Sequence, residues 1–279
     1  MLLHTEVLAR VEKEEIMPIQ DAVSIHDVMS TDILTVRPEE RIPEAARRLS
    51  ERNVGAAIVE PETRGSRPGI ISERDVLSCV ASGRGPEYLH VADLFTADAM
   101  TIPPDSSLQQ AAKAMTSDGF RHLVVFDGEK TLGIVSIRDI ISHWSSEGQL
   151  PGLGAQIREA MTTEVFAVGL EDSLREAARK MGERGIGAAM VEPAKEGRPP
   201  GMISAREVLH SIAAGQDPDT ERVTDHLAPR RTFSAPDWSL SQAAEAMTKG
   251  GFQHIVVVDG SGIAGILSMR DLMRSLIGS

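Results

Sequence analysis

A chain of 279 residues, 41% hydrophobic, 25% charged and with a formal charge of −12 is long enough for two domains with cores of their own. The acidic balance argues against non-specific nucleic-acid binding, which rests on Lys and Arg neutralising phosphates, while leaving room for one small anion held by local arginines. The single cysteine, Cys79, excludes an intramolecular disulfide. With no apolar run near the ~20 residues of a membrane span and an acid-bearing start unlike a signal peptide, a cytoplasmic location is expected.

In chain order, Leu3, Val7, Leu8 and Val11 fall at helical spacing and predict a short amphipathic helix over residues 1–17, stopped by Pro18. Leu34-Thr35-Val36 follows as a short strand. Ile42, Ala45, Ala46 and Leu49 recur at i, i+3, i+4 and i+7, marking the buried face of a helix that tolerates Pro43 in its first turn. Ala56–Val59 is a second strand, Glu62–Pro68 a Pro/Gly/Arg turn and Gly69–Ile71 a third strand. A closing helix then carries Val76, Leu77 and Val80, with Cys79 on its apolar side as inert core. The second unit, over about residues 92–146, repeats this β-α-β-β-α plan with a tight Asp127-Gly128-Glu129-Lys130 turn. Linkers fall at Gly83–Val91, Glu147–Gln156 and Gly215–Val223.

The second half of the chain repeats the first at a constant offset of 132 residues. Val54-Gly55-Ala56-Ala57 returns as Ile186-Gly187-Ala188-Ala189, and Gly119-Phe120-Arg121-His122 returns as Gly251-Phe252-Gln253-His254. The chain is thus a tandem duplication of a two-unit module. A three-stranded sheet with both helices on one side leaves its other face bare, so units should pair through their sheets.

Each unit closes on one corner: Gly69-Ile70-Ile71-Ser72-Glu73-Arg74-Asp75, Gly133-Ile134-Val135-Ser136-Ile137-Arg138-Asp139, Gly201-Met202-Ile203-Ser204-Ala205-Arg206-Glu207 and Gly265-Ile266-Leu267-Ser268-Met269-Arg270-Asp271. Serine followed by an acid three residues later reads as a helix capping box. The same corner aims free N–H groups and a positive helix end into one space, which suits a phosphate. The acid can accept from ribose hydroxyls, and the glycine permits close backbone approach.

Four such corners in two tandem pairs resemble CBS (cystathionine-β-synthase-type) domains arranged as two Bateman modules, over nearly everything from residue 25 onward. The resemblance implies an α+β fold of four β-α-β-β-α repeats at 25–82, 92–147, 157–214 and 223–279, paired into pseudo-twofold modules (25–147 and 157–279) behind an extension at 1–24. It implies that Ser72, Ser136, Ser204 and Ser268 contact phosphate or ribose. Asp75, Asp139 and Asp271 would hold ribose hydroxyls, and Arg74, Arg138, Arg206 and Arg270 are candidate phosphate partners. Adenine would slot between Leu34 and Val54, Met100 and Phe120, Phe166 and Ile186, and Thr232 and Phe252. Glu207 departs from the pattern, its extra methylene expected to carry the carboxylate outward and weaken the third site. Thr232 is the least apolar slot residue, and Arg230-Arg231 beside it could serve further phosphates.

The resemblance implies a regulatory sensor of AMP, ADP, ATP or a related adenosyl ligand, with Mg2+ as a companion of the phosphates, no required cofactor and no catalysis. An unidentified protein partner would read the conformational change. A scaffold with vestigial pockets is the alternative, and a four-repeat disc within one chain competes with a homodimer. Walker, GxSxG and dinucleotide glycine motifs are missing from the sequence. His122 and His254 have no further residues at metal-ligand spacing and read as strand-end histidines hydrogen-bonded locally. Trp144 and Trp238 read as packing residues.

Overall fold

The computed structural model describes residues 23–61, 66–150, 154–191, 200–229 and 232–278. The helix expected at 1–17, the tip of the Glu62–Pro68 turn and Arg230-Arg231 lie outside the described residues. Four three-stranded sheets are present among the described residues, each with the middle strand parallel to the first and antiparallel to the third. Repeat 1 runs α1 (Ile25–Val28), β1 (Thr35–Val36), α2 (Ile42–Glu51), β2 (Ala56–Val59), β3 (Gly69–Ser72) and α3 (Glu73–Ala81). Repeat 2 runs β4 (Thr101–Ile102), α4 (Leu108–Asp118), β5 (His122–Phe126), β6 (Thr131–Ser136) and α5 (Ile137–Ser146). Repeat 3 has α6 (Ile157–Ala160), β7 (Ala167–Val168), α7 (Leu174–Glu183), β8 (Ala188–Val191), β9 (Gly201–Ser204) and α8 (Ala205–Ala213). Repeat 4 has β10 (Phe233–Ser234), α9 (Leu240–Gly250), β11 (His254–Asp259), β12 (Gly262–Ser268) and α10 (Met269–Ile277).

The helix stripe read from the sequence is the buried one: Ile42, Ala45, Ala46 and Leu49 are at most 1% exposed, and their counterparts Leu174, Ala177, Ala178 and Met181 are fully buried. Within each module the sheets face each other through a small apolar layer. In the first module it is Ile58, Ala99 and Val124 with Ile33, Ile70 and Ile134, and in the second Ala188, Met202 and Ala228. The pairing is reciprocal. Ser30, ahead of β1, exchanges backbone hydrogen bonds with Ile134 of β6, and Thr96, ahead of β4, does the same with Ile70 of β3. Thr162 and Ile266 repeat the first exchange in the second module.

This crossing explains the glycine that opens each corner, and it corrects the expectation that its bareness serves a ligand. A Cβ on Gly133 would lie 2.8 Å from the Ser30 carbonyl oxygen and 2.7 Å from Met29 Sδ, and one on Gly265 would lie 2.7 Å from the Thr162 carbonyl oxygen. On Gly69 it would strike the Phe95 ring at 2.4 Å, and on Gly201 the Leu227 side chain at 2.9 Å. The backbone that approaches is the paired repeat's own entry segment.

The two modules meet helix to helix. In the layer of repeats 1 and 3, α2 packs on α8 and α3 on α7; in the layer of repeats 2 and 4, α4 packs on α10 and α5 on α9. Each layer is one continuous core, one containing Leu49, Val76, Leu174 and Val208, the other Met115, Ile140, Met247 and Leu272. Trp144 is buried and Trp238 partly buried in the second of these, as packing residues. The single chain therefore forms the four-repeat arrangement by itself. Across the seam, Arg175 bonds the Val80 carbonyl at 2.9 Å while holding Asp219. Among the described residues no helix is long and apolar enough to cross a membrane.

Because the clash at Gly133 is with backbone as well as a side chain, the crossing segment has little room to yield. Gly133→Ala should therefore destabilise the fold by about 1–3 kcal/mol, the usual cost of overpacking. Ala at Gly187, where an added Cβ meets nothing within 4 Å, should be near neutral; urea denaturation of the two variants checks the contrast.

Candidate functional site

All four corners fold as capping boxes. At the second, Ser136 N–H and Oγ–H donate to Asp139 Oδ2 at 2.8 and 2.7 Å, and Asp139 N–H donates back to Ser136 Oγ at 3.3 Å. The fourth repeats this at Ser268 and Asp271; at the first, Ser72 N–H and Oγ–H both donate to Asp75 Oδ2 at 2.7 Å. At the third, Glu207 folds back so that its Oε2 accepts from Ser204 N–H at 2.9 Å and Oγ–H at 2.5 Å. The extra methylene thus does not carry the carboxylate outward.

One cavity of about 520 Å3 opens where the four repeats meet. The corners Ser136-Ile137-Arg138-Asp139 and Ser268-Met269-Arg270-Asp271 line it. The strand exchange places a slot from the paired repeat beside each corner: Leu34 and Val54 near Asp139, Phe166 and Ile186 near Asp271. Arg184 stacks on Phe166, its guanidinium carbon 3.8 Å from the ring centroid. Each half of the cavity is thus a composite of two repeats. The remaining expected residues fall elsewhere. Ser72, Asp75, Ser204 and Glu207 do not line the cavity, although Arg74 and Arg206 from the same corners do. Met100 and Phe120 are 39% and 41% exposed, and neither they nor Thr232 and Phe252 line it.

Six arginines, Arg74, Arg121, Arg138, Arg206, Arg270 and Arg274, line the cavity. Arg138 donates to the Gly251 carbonyl at 3.0 Å and Arg270 to the Gly119 carbonyl at 2.9 Å, so each caps a helix end in the opposite module. The Nε of Arg270 is buried without a partner. Burial, with Arg74 and Arg121 nearby, pushes the Arg270 guanidinium down to about 10; burial also lowers Arg74 and Arg138.

Asp32, Asp139, Glu164 and Asp271 line the cavity with them, and Glu73, 1% exposed, sits behind the lining against two of these arginines. It accepts from Arg206 Nε at 2.9 Å and lies 3.7 Å from Arg121, which itself donates to Gln253 at 2.8 Å. Burial alone would raise its carboxyl; Arg206 and Arg121 outweigh that and hold it below the usual carboxylate range.

Glu73, Arg121, His122, Gln253 and His254 were not singled out from the sequence as site residues. Two signals pointed to them: Glu73 is the charged member at a corner position otherwise filled by Ile137, Ala205 and Met269, and the Arg121-His122/Gln253-His254 pair recurs at the 132-residue offset. The two histidines open β5 and β11 and line the cavity.

Both histidines are pushed down to about 4, by burial first and by Arg121 next, with Arg138 and Arg206 adding at His122, Arg270 and Arg206 at His254, and Glu73 opposing at both. Between about pH 6.5 and 4 the unfolded chain therefore binds protons that the folded chain refuses, so stability falls as the pH drops through that window. Lowering the pH from 7.5 to 5 should cost about 1–2 kcal/mol per histidine. The double variant His122→Asn/His254→Asn should lose that part of the pH dependence in denaturant melts.

The CBS-domain profile matches residues 25–82, 91–146, 157–214 and 234–278. Protein MK0525 of Methanopyrus kandleri is 32% identical over 122 residues, 43% of this chain and 62% of that protein. A 33.4 kDa protein from a ribosomal RNA operon of Thermofilum pendens is 31% identical over 171 residues, 58% of this chain and 55% of that protein. The chain thus spans less than two thirds of the length of both. The crystal structure of MJ1225 from Methanocaldococcus jannaschii superposes with a TM-score of 0.77 at 16% identity, covering 91% of this chain and 99% of that one, a likeness of fold. Four profile matches over most of the chain coincide with four exchanged β-α-β-β-α units, each closed by a Ser-x-x-acid corner, and the chain belongs to the CBS-domain family.

Proposed function

We propose that the chain is a regulatory sensor that binds adenine nucleotides, or a related adenosyl ligand, in the two composite halves of the central cavity. One observation carries the reading. Each half combines an apolar slot, a serine–aspartate corner at a helix N-terminus, and arginines at the shared centre. These are the three chemistries of a nucleotide, arranged in its own order of base, ribose and phosphate. The capping bonds of Asp139 and Asp271 use Oδ2, leaving Oδ1 outside them to accept from ribose hydroxyls. Arg74, which makes no hydrogen bond or ion pair among the described residues, and the unpartnered Nε of Arg270 supply donors for phosphate.

Binding would transmit through the centre. The arginines that would meet phosphate also cap helices of the opposite module, so a ligand that recruits Arg138 or Arg270 alters a contact between modules. A partner protein would respond to that altered placement. MJ1225, whose structure shares the fold, is described as a candidate archaeal homologue of g-AMPK, which accords with this reading.

Isothermal titration of nucleotide-free protein with AMP, ADP and ATP tests it. Asp139→Ala and Asp271→Ala should each abolish one binding event, or weaken it at least about tenfold, as loss of charge-assisted hydrogen bonds implies. Asp75→Ala, at a corner outside the cavity, should leave both events in place. No heat and no competition at millimolar nucleotide would sink the proposal.

A further inference from the structure

The two halves of the cavity are related by the internal duplication, yet they differ at one corner position. Glu73 donates its N–H to the Gly55 carbonyl at 3.1 Å, and Ala205 makes the equivalent bond to the Gly187 carbonyl at 2.9 Å. Gly55 and Gly187 belong to the slots of the Asp139 half and the Asp271 half respectively. The Asp139 half therefore carries a buried carboxylate where the Asp271 half carries a methyl group.

Space and charge both follow from that difference. A Cβ on Gly55 would meet the His122 ring at 3.2 Å and the Glu73 carboxyl carbon at 3.7 Å, whereas one on Gly187 would meet nothing within 4 Å. Glu73 engages Arg206, which also reaches Asn53 Oδ1 at 3.3 Å beside the same slot. Arg206 belongs to the third corner, and its counterpart in the first corner is Arg74. The duplication would set Arg74 against a carboxylate at position 205; with Ala205 there, Arg74 makes no ion pair among the described residues. The Asp271 half is thus both roomier and more positive. Arg270, Arg274 and Arg74 line the cavity without an acid in the place of Glu73; Glu164 matches Asp32 at the 132-residue offset, so the acid that differs is Glu73, held just behind the lining of the Asp139 half.

We infer that Glu73 sets a difference in ligand charge between the halves: the Asp271 half takes the polyphosphate chain of a nucleoside triphosphate, and the Asp139 half selects a nucleoside monophosphate. A phosphomonoester carries about −1.5 to −2 at neutral pH and each further phosphate adds about one more charge, so a fixed carboxylate beside the chain penalises the triphosphate most. This rests on the cavity being a nucleotide site.

The test uses the full chain with one half disabled at a time, titrated with AMP and with ATP in EDTA so that no divalent cation masks the phosphates. In Asp139→Ala, which leaves the Asp271 half, the ratio of ATP to AMP affinity should exceed that in Asp271→Ala by about tenfold or more. Adding Glu73→Gln to Asp271→Ala should raise ATP affinity about tenfold and AMP affinity less. Glu73→Gln removes a buried ion-pair partner and could compromise folding, so Ala205→Glu, added to Asp139→Ala, is the converse variant. Arg74 stands in place to receive that carboxylate, and ATP affinity of the Asp271 half should fall while AMP affinity changes less. Equal ATP-to-AMP ratios in the two halves, or equal shifts for both ligands on changing residue 73 or 205, overturn the inference while leaving nucleotide binding intact. Absence of binding by the unmodified chain overturns the nucleotide reading itself.

Discussion

The arrangement depends on a close crossing. In each module the segment that enters one repeat lies against the third strand of the other, at a distance that only a glycine permits. A small three-stranded sheet has too little area to bury a face alone, so the exchange supplies both the missing backbone partners and the second apolar layer. It also fixes where a ligand can sit. A slot residue such as Leu34 or Phe166 cannot face the corner of its own repeat; the crossing delivers it to the corner of the neighbour. The site is composite because the fold is interlaced.

Pairing of the modules then brings an arginine from each of the four corners to one place, and with them an electrostatic cost. Six guanidinium groups around one cavity repel each other, and for Arg74, Arg138 and Arg270 burial removes water that would screen them. The chain answers in part with carbonyls at helix ends, which accept from Arg138 and Arg270, and in part with Glu73. Neither answer is complete, since among the described residues Arg74 makes no hydrogen bond or ion pair and the buried Arg270 Nε has no hydrogen-bond partner. Anion binding here, as proposed, would act through the arginines that also hold His122 and His254 neutral.

The repeat plan was legible because it rests on local signals. The Ile42–Leu49 stripe, the Ala56–Val59 run and the Ser-x-x-acid caps each describe a few neighbouring residues, and the 132-residue offset repeats them. Pairing of sheets also followed, from the bare face that such a unit must cover. What the sequence did not reveal depends on which repeats meet across the chain. Leu34 with Val54 and Met100 with Phe120 look alike as slots, yet the first pair lines the cavity and the second lies partly in solvent. Glu207 looked displaced by one methylene, but its side chain folds back to the same cap because a flexible carboxylate has rotamers to spare. Glu73 carried no role of its own in the sequence reading. Its burial against Arg206, 133 positions away, is invisible without the seam between modules.

A duplicated chain starts with equivalent sites, so the positions where the copies differ carry the information about what the sites came to do. The corners keep Ser and an acid throughout, as the helix cap requires wherever the corner occurs, and an Arg that lines the cavity from each. The residue between Ser and Arg is free of that duty, and there the copies diverge into Glu, Ile, Ala and Met. Glu73 is costly in isolation: a carboxylate at 1% exposure is tolerated only because Arg206 and Arg121 converge on it. A hydrophobic residue at that position, as in the other corners, would avoid the desolvation but leave those two arginines facing the cavity unopposed. The carboxylate therefore sets how much positive charge one half retains. A polar group buried at that cost, at a corner position the cap leaves free, accords with the proposed selection of ligand by charge more than with a gain in stability.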